Sequence, residues 1–164
     1  MNDIVAEIKD LKQQVAELSK KQGGGSSWGI MTQLPTVDHS STGLKSTLVA
    51  AANVAFGDVC YIASTGKATL VDADAIASSS GLVMADAAIL ANASGNWLFQ
   101  GIVRDDTWNW TVGGLIYITV TGTTGNTLSQ TPPTGTDDVV QIVGVALSAD
   151  TMYFNPQLVQ IERV

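Results

Sequence analysis

The first stretch of the chain alternates apolar and polar positions on a helical rhythm. Met1, Ile4, Ile8, Leu11, Val15 and Leu18 are separated by steps of 3, 4, 3, 4 and 3 residues, the a/d stripe of a heptad repeat. Met1, Ile8 and Val15 take the a positions; Ile4, Leu11 and Leu18 take d. Asn2 and Asp3 suit a helix start and Lys20 and Lys21 its end, because the helix dipole favours anions first and cations last. Glu7 at g and Lys12 at e can pair between chains, and Glu17 and Lys21 within one. The pattern predicts a coiled-coil helix over residues 1–22, ~33 Å long, then a Gly/Ser linker over residues 23–27. A narrow stripe on a detached helix must bury itself against something else. Self-association is the expected partner, ahead of a different protein and ahead of the helix lying on its own domain. Three heptads are marginal alone, so the helix is expected to depend on association by the rest of the chain. Leu at d beneath β-branched a residues favours two strands. Ile4 at d and Val5 at e widen the seam towards three, and a homotrimer is preferred to a dimer.

From residue 28 onward the rhythm shortens to that of strands separated by turn residues. Phe56 to Ala63, then Ser64-Thr65-Gly66, then Lys67 to Val71 reads as a hairpin, and Gly81 to Ala85 as a further strand. Val112 to Val120, Asn126 to Leu128, Val139 to Leu147 and Met152 to Phe154 follow. The halves align: Gly57, Tyr61, Ile62, Thr65 and Gly66 recur 56 residues later as Gly113, Tyr117, Ile118, Thr121 and Gly122. Thr69-Leu70 corresponds to Thr127-Leu128, and Gly81 to Ala85 corresponds to Gly144 to Ser148. The fold class expected is mainly β. It is a β-sandwich or barrel with an internal repeat, two related halves at about 44–90 and 100–156 within a 28–164 domain, preceded by the short coiled-coil helix. The glycines before Tyr61 and Tyr117 are expected at bends or bulges.

Charge sharpens this picture. The acids and bases of residues 1–22 cancel, so the whole net charge of −7 falls on the remainder, whose only bases are Lys45, Lys67, Arg104 and Arg163. Such a body repels phosphate, and no nucleic-acid partner is expected. Cys60 is the only cysteine and sits in a strand-like run, so a packing role is expected and no intrachain disulfide can form. No segment has the apolar length of a membrane span or a secretory leader. No membrane partner is expected, and synthesis in the cytoplasm is.

The candidate chemistry is sparse. His39, the only histidine, lies between Asp38 and Ser40 in a polar stretch. Neighbours in one loop do not make a triad, whose members converge from separate elements. Asp72 with Asp74, Asp105 with Asp106 and Asp137 with Asp138 lack the spacing of a calcium loop and are read as solvated turn acids, so no metal and no cofactor is expected. Gly113-Gly114 lacks the Lys-Ser/Thr of a phosphate loop. Asn92-Ala93-Ser94 and Asn109-Trp110-Thr111 match the glycosylation pattern only by chance. Trp97, Trp108 and Trp110 are candidate ligand-facing or interface aromatics. Trp108 and Trp110 share a face if extended, as do Trp97 and Phe99. Core or subunit packing is the plainer reading for all three tryptophans.

The residues Gly114 to Ile118, Asp138 to Ser148 and Met152 to Pro156 resemble a β module of tailed-bacteriophage virion proteins: capsid decoration proteins, head fibres and tail-fibre segments. The resemblance covers about residues 95–160, and 44–90 more loosely through the repeat. It implies a homotrimer with a coiled-coil stem and a β body, made in the host cytoplasm and carried on the outer surface of the virion. Its partners would be the major capsid protein or another virion protein. The expected function is therefore structural and non-enzymatic, a capsid decoration or head-fibre protein. The alternative is a tail-fibre or receptor-binding module for host-surface glycans. A glycan hydrolase would need paired carboxylates in a cleft, and the acids here fall mostly in turn-like stretches.

Overall fold

The computed structural model describes residues 9–14 and 34–164, in two compact units divided after Ile30. In the first unit residues 9–14 are helical. Gln14 donates to the Asp10 carboxylate at 3.0 Å, one turn back, and Leu11 is 63% exposed. Met1, Ile4, Ile8, Val15 and Leu18, and the linker, lie outside the described residues. Among the described residues no helix is long and apolar enough to cross a membrane.

The second unit is mainly β and forms a nearly closed, barrel-like sheet. Its strands are β1 (Ser40–Val49), β2 (Val59–Ile62), β3 (Ala68–Leu70), β4 (Val83–Ala85), β5 (Ser94–Arg104), β6 (Leu115–Thr123), β7 (Asn126–Ser129), β8 (Val139–Val140), β9 (Ile142–Ala146), β10 (Thr151–Phe154) and β11 (Ile161–Glu162). The main sheet runs β3-β2-β4-β5-β10-β9-β6-β7, with β1 also on β5; β11 and β8 form a separate pair. β1 follows β5 over its whole length, and its end touches β3 through an Ala50–Ala68 bridge.

Period-two alternation explains the continuous apolar runs. Val59, Met84 and Leu98 belong to one buried cluster, together with Val103, Ile116 and Phe154. Their chain neighbours Cys60, Val83, Ala85 and Trp97 belong to a second. Successive side chains of a strand point to opposite faces, so β2, β4 and the first part of β5 are covered on both sides and need apolar residues at every position. Where β1 pairs with β5, Gly43 faces Gly101. A Cβ on Gly101 would collide with the carbonyl of Thr42, and one on Gly43 with that of Gln100. The two backbones approach closely only because both residues lack side chains.

The pairing order reads alike from either end. The β2–β3 hairpin has β4 beside β2 and β5 beside β4; the β6–β7 hairpin has β9 beside β6 and β10 beside β9; and β5 meets β10. Val59 pairs with Met84 as Leu115 pairs with Val145, and Tyr61 pairs with Thr69 as Tyr117 pairs with Ser129. Gly57 and Gly113 both have positive φ, 80° and 76°. Each donates 2.9 Å to the carbonyl of an alanine, Ala85 and Ala146 respectively. Ser129 thus stands opposite Tyr117 as Thr69 stands opposite Tyr61, two residues from the Thr127 that the sequence alignment sets against Thr69.

Candidate functional site

Five loops and strand ends gather around a cleft of about 710 Å³. They are His39 before β1, the Ala55–Asp58 turn before β2, Asp86 to Ala88 after β4, Asp105 to Trp110 after β5, and Gly125 to Leu128 at the β6–β7 turn. The volume is within the range of small-molecule sites.

The aromatic wall comes from the connection after β5. Trp108 and Trp110 are both half-buried, with ring centroids 5.4 Å apart and planes inclined by 49°. The segment is not a strand: a turn at Asp106–Thr107 leads into irregular chain over 108–110, and the two indoles meet there instead of sharing a strand face. It is pinned at several points. Thr107 donates its amide and its hydroxyl to Asp105 Oδ1 at 2.9 and 2.6 Å. The Trp110 amide donates to the Ala149 carbonyl at 2.7 Å. Gln130 accepts from the Thr111 amide at 2.7 Å and donates to its carbonyl at 2.9 Å. Gly57 leaves room for Trp108: a Cβ there would stand 3.2 Å from the indole. Trp97 has a different place. It is fully buried in the second core cluster and donates from Nε1 to the Leu48 carbonyl at 3.1 Å. It is a core residue and not a ligand-facing one, because β5 is covered on both faces.

The polar wall is built from aspartates. Asp105, only 8% exposed at its side chain, lies 3.5 Å from His39 Nε2, and Asp38 lies 3.6 Å from Nδ1. The imidazole, with positive φ at its own backbone and its ring 5.0 Å from that of Phe56, therefore stands between two carboxylates. Chiefly the Asp106 amide, donating to Asp38 at 2.8 Å, holds the Asp38 carboxyl below its usual range. Ser40 donates its hydroxyl to the Val37 carbonyl and Ser41 to Asp86, so neither hydroxyl is directed to His39. Lys45 pairs with Asp86 at 2.8 Å. Asp58, almost wholly buried, accepts from the Ala55 and Gly125 amides, both at 2.8 Å. Burial pushes its carboxyl above 3.8 despite those bonds.

Asp38, His39 and Asp105 could each offer one ligand atom to a cation, all within 4.8 Å of one another. His39 presents opposite ring nitrogens to the two carboxylates, and one imidazole gives one ion only one nitrogen, so the arrangement suits a ring held between two carboxylates better than a metal centre. Sequence reading did not bring Asp105 to His39, since no spacing links the start of β1 to the end of β5. The acids expected as solvated turn residues differ: Asp105 is buried, while Asp72 and Asp138 are half-buried beside turns, accepting from the Asp74 amide at 3.2 Å and from that of Gly135 respectively. Cys60 is buried and free. Burial, then the nearby Asp58 charge, pushes its thiol far above the usual range, so it is an unreactive packing residue.

No family model, no curated protein and no solved structure matches this chain.

Proposed function

We propose that this chain is a non-enzymatic, self-associating structural protein of a tailed-phage virion. It acts as a homotrimeric capsid decoration or head-fibre protein on the outer surface, joined to the major capsid protein or another virion protein. The observation that supports this reading best is apolar surface left open on the β unit. Leu158, Val159 and Ile161 are 84%, 73% and 64% exposed where the chain enters β11, and apolar stretches of this kind mark association surfaces. The heptad stripe of residues 1–22 adds a second self-complementary element, and the phage-module resemblance supplies the setting. The acidic charge of the body suits a place away from packaged genome. The shared pairing order on the two sides of β5–β10 is consistent with a duplicated strand unit.

Light scattering on the whole chain tests the association. Three copies per particle are expected, and a monomer at tens of micromolar would overturn the reading.

A second reading, a receptor-binding module for host-surface glycans, is favoured by one observation: Trp108 and Trp110 stand in the wall of a cleft that also presents Asp58, Asp86, Asp105, Thr107 and Asn126.

A further inference from the structure

Resting on that second reading, we propose that the cleft walled by Trp108, Trp110 and Asp105 binds saccharides, and that it selects uncharged sugars over anionic ones.

A sugar ring offers an apolar C–H face and a rim of hydroxyls. The cleft has the matching halves. The indoles of Trp108 and Trp110 and the ring of Phe56 supply apolar surface, while Asp105, Thr107 and Asn126 supply acceptors and donors around it. A purely apolar ligand would strip water from those polar groups without replacing it, which is costly. A saccharide replaces it hydroxyl by hydroxyl.

The charge pattern narrows the class. Asp58, Asp86 and Asp105 line the cleft with no lysine or arginine among the lining residues. A sialate, uronate or phosphate would meet three aspartates, and the one lysine beside them, Lys45, is already taken up by Asp86 at 2.8 Å; like charges at this range repel. A cationic ligand is no better served, because each carboxylate already has partners. Asp86 is paired with Lys45 at 2.8 Å, Asp105 with Thr107 and the His39 imidazole, and Asp58 with two backbone amides. An ammonium would have to displace these groups. A hydroxyl needs only a free lone pair on an oxygen already in place. The bonds of the Trp108–Trp110 segment to Asp105, Ala149 and Gln130 hold the wall in shape before any ligand arrives, which lowers the cost of binding.

The test is a nuclear magnetic resonance titration of the intact, labelled protein. The probes are neutral disaccharides of glucose, galactose and N-acetylglucosamine, with sialyllactose as the anionic arm. The indole Nε1–H signals of Trp108 and Trp110 are expected to move with at least one neutral disaccharide while that of buried Trp97 stays. Sialyllactose is expected to leave all three in place. Trp108→Ala should weaken the neutral sugar about ten-fold, the loss of one aromatic contact. The wild-type shifts carry the result if that variant does not fold. Equal or tighter binding of sialyllactose would overturn the selectivity while leaving glycan recognition standing. Sugar-dependent shifts that spare Trp108 and Trp110 would place the site elsewhere, with the same consequence. No response to any probe at tens of millimolar would overturn both this assignment and the glycan reading.

Discussion

Thr127, on β7, reaches across the interior to Asp58, just ahead of β2: its hydroxyl lies 3.4 Å from Asp58 Oδ1 and accepts the Val59 amide at 2.9 Å. Asp58 Oδ1 also accepts the Gly125 amide from the turn before β7. The two hairpins are thus tied by a buried polar link whose donors would otherwise face apolar side chains. Such a link fixes how the hairpins meet, since a buried donor left without a partner costs more than the bond itself returns.

Substitution should expose that asymmetry. Thr127→Val keeps the shape and removes the acceptor of the Val59 amide, so a loss of about 1–3 kcal/mol is expected. Asp58→Asn places an amide NH2 against a backbone N–H on at least one side, since both carboxylate oxygens are accepting, and a loss of similar size is expected. Urea unfolding measures both. A double variant no worse than the worse single would show that they break one shared link.

The pH dependence has a definite sign. Burial raises the Asp58 carboxyl above 3.8 in the folded chain. Between the unfolded and folded values the native state therefore holds a proton that the unfolded state has released. The contribution of this group to stability is fully present below the unfolded value and is lost as pH rises through the folded one. The stability difference between wild type and Asp58→Asn should shrink as pH rises from about 3.8 and level off beyond the folded value. A difference that grows over that range would contradict the assignment of burial as the dominant cause.

The pairing of β1 with β5 at Gly43 and Gly101 leaves no room for a methyl group. Gly101→Ala would press its Cβ onto the Thr42 carbonyl and Gly43 Cα, both backbone and unable to rotate away. A destabilisation of about 3 kcal/mol or more is expected, against little effect from Gly66→Ser, where a Cβ meets nothing within 4 Å and only the positive φ opposes the change. Thermal melts of the two variants make the comparison.

Much of this fold was legible in the sequence, for reasons that differ by strand. β2, β4, β6, β9 and β10 are apolar-rich runs bounded by Gly, Thr and Asp, and their positions follow from pattern, while β7 follows from its place after the Gly122–Gly125 turn. β1 was not expected, because Ser40 to Thr47 carries little apolar periodicity and its Leu44 is 66% exposed; what holds it is backbone pairing with β5, which leaves no mark on side-chain pattern. The coincidence of two cores on either side of one sheet was likewise hidden, since an apolar run such as Val83-Met84-Ala85 looks the same wherever its faces go. Trp108 and Trp110 could be singled out as a pair. That Asp105, His39 and Phe56 stand around them depends on loop closure, which no local spacing encodes.

The N-terminal helix offers a separate test. Leu11 is the one heptad position among the described residues, and it is largely open to water, as a seam residue is in a single chain. Leu11→Asp should abolish self-association through the helix and reduce helical circular dichroism, while the β unit, joined through Gly23-Gly24-Gly25, keeps its melting behaviour. Helical signal and particle mass both unchanged would show that this stripe is not a subunit contact.

The central claim concerns place as well as assembly, and cryo-electron microscopy of purified virions carrying this protein tests it most directly. The account predicts density for three copies of the β unit around a symmetry axis on the outer face of the capsid, lost when the gene product is omitted. Density confined to the interior of the shell, or no virion density at all, would contradict it.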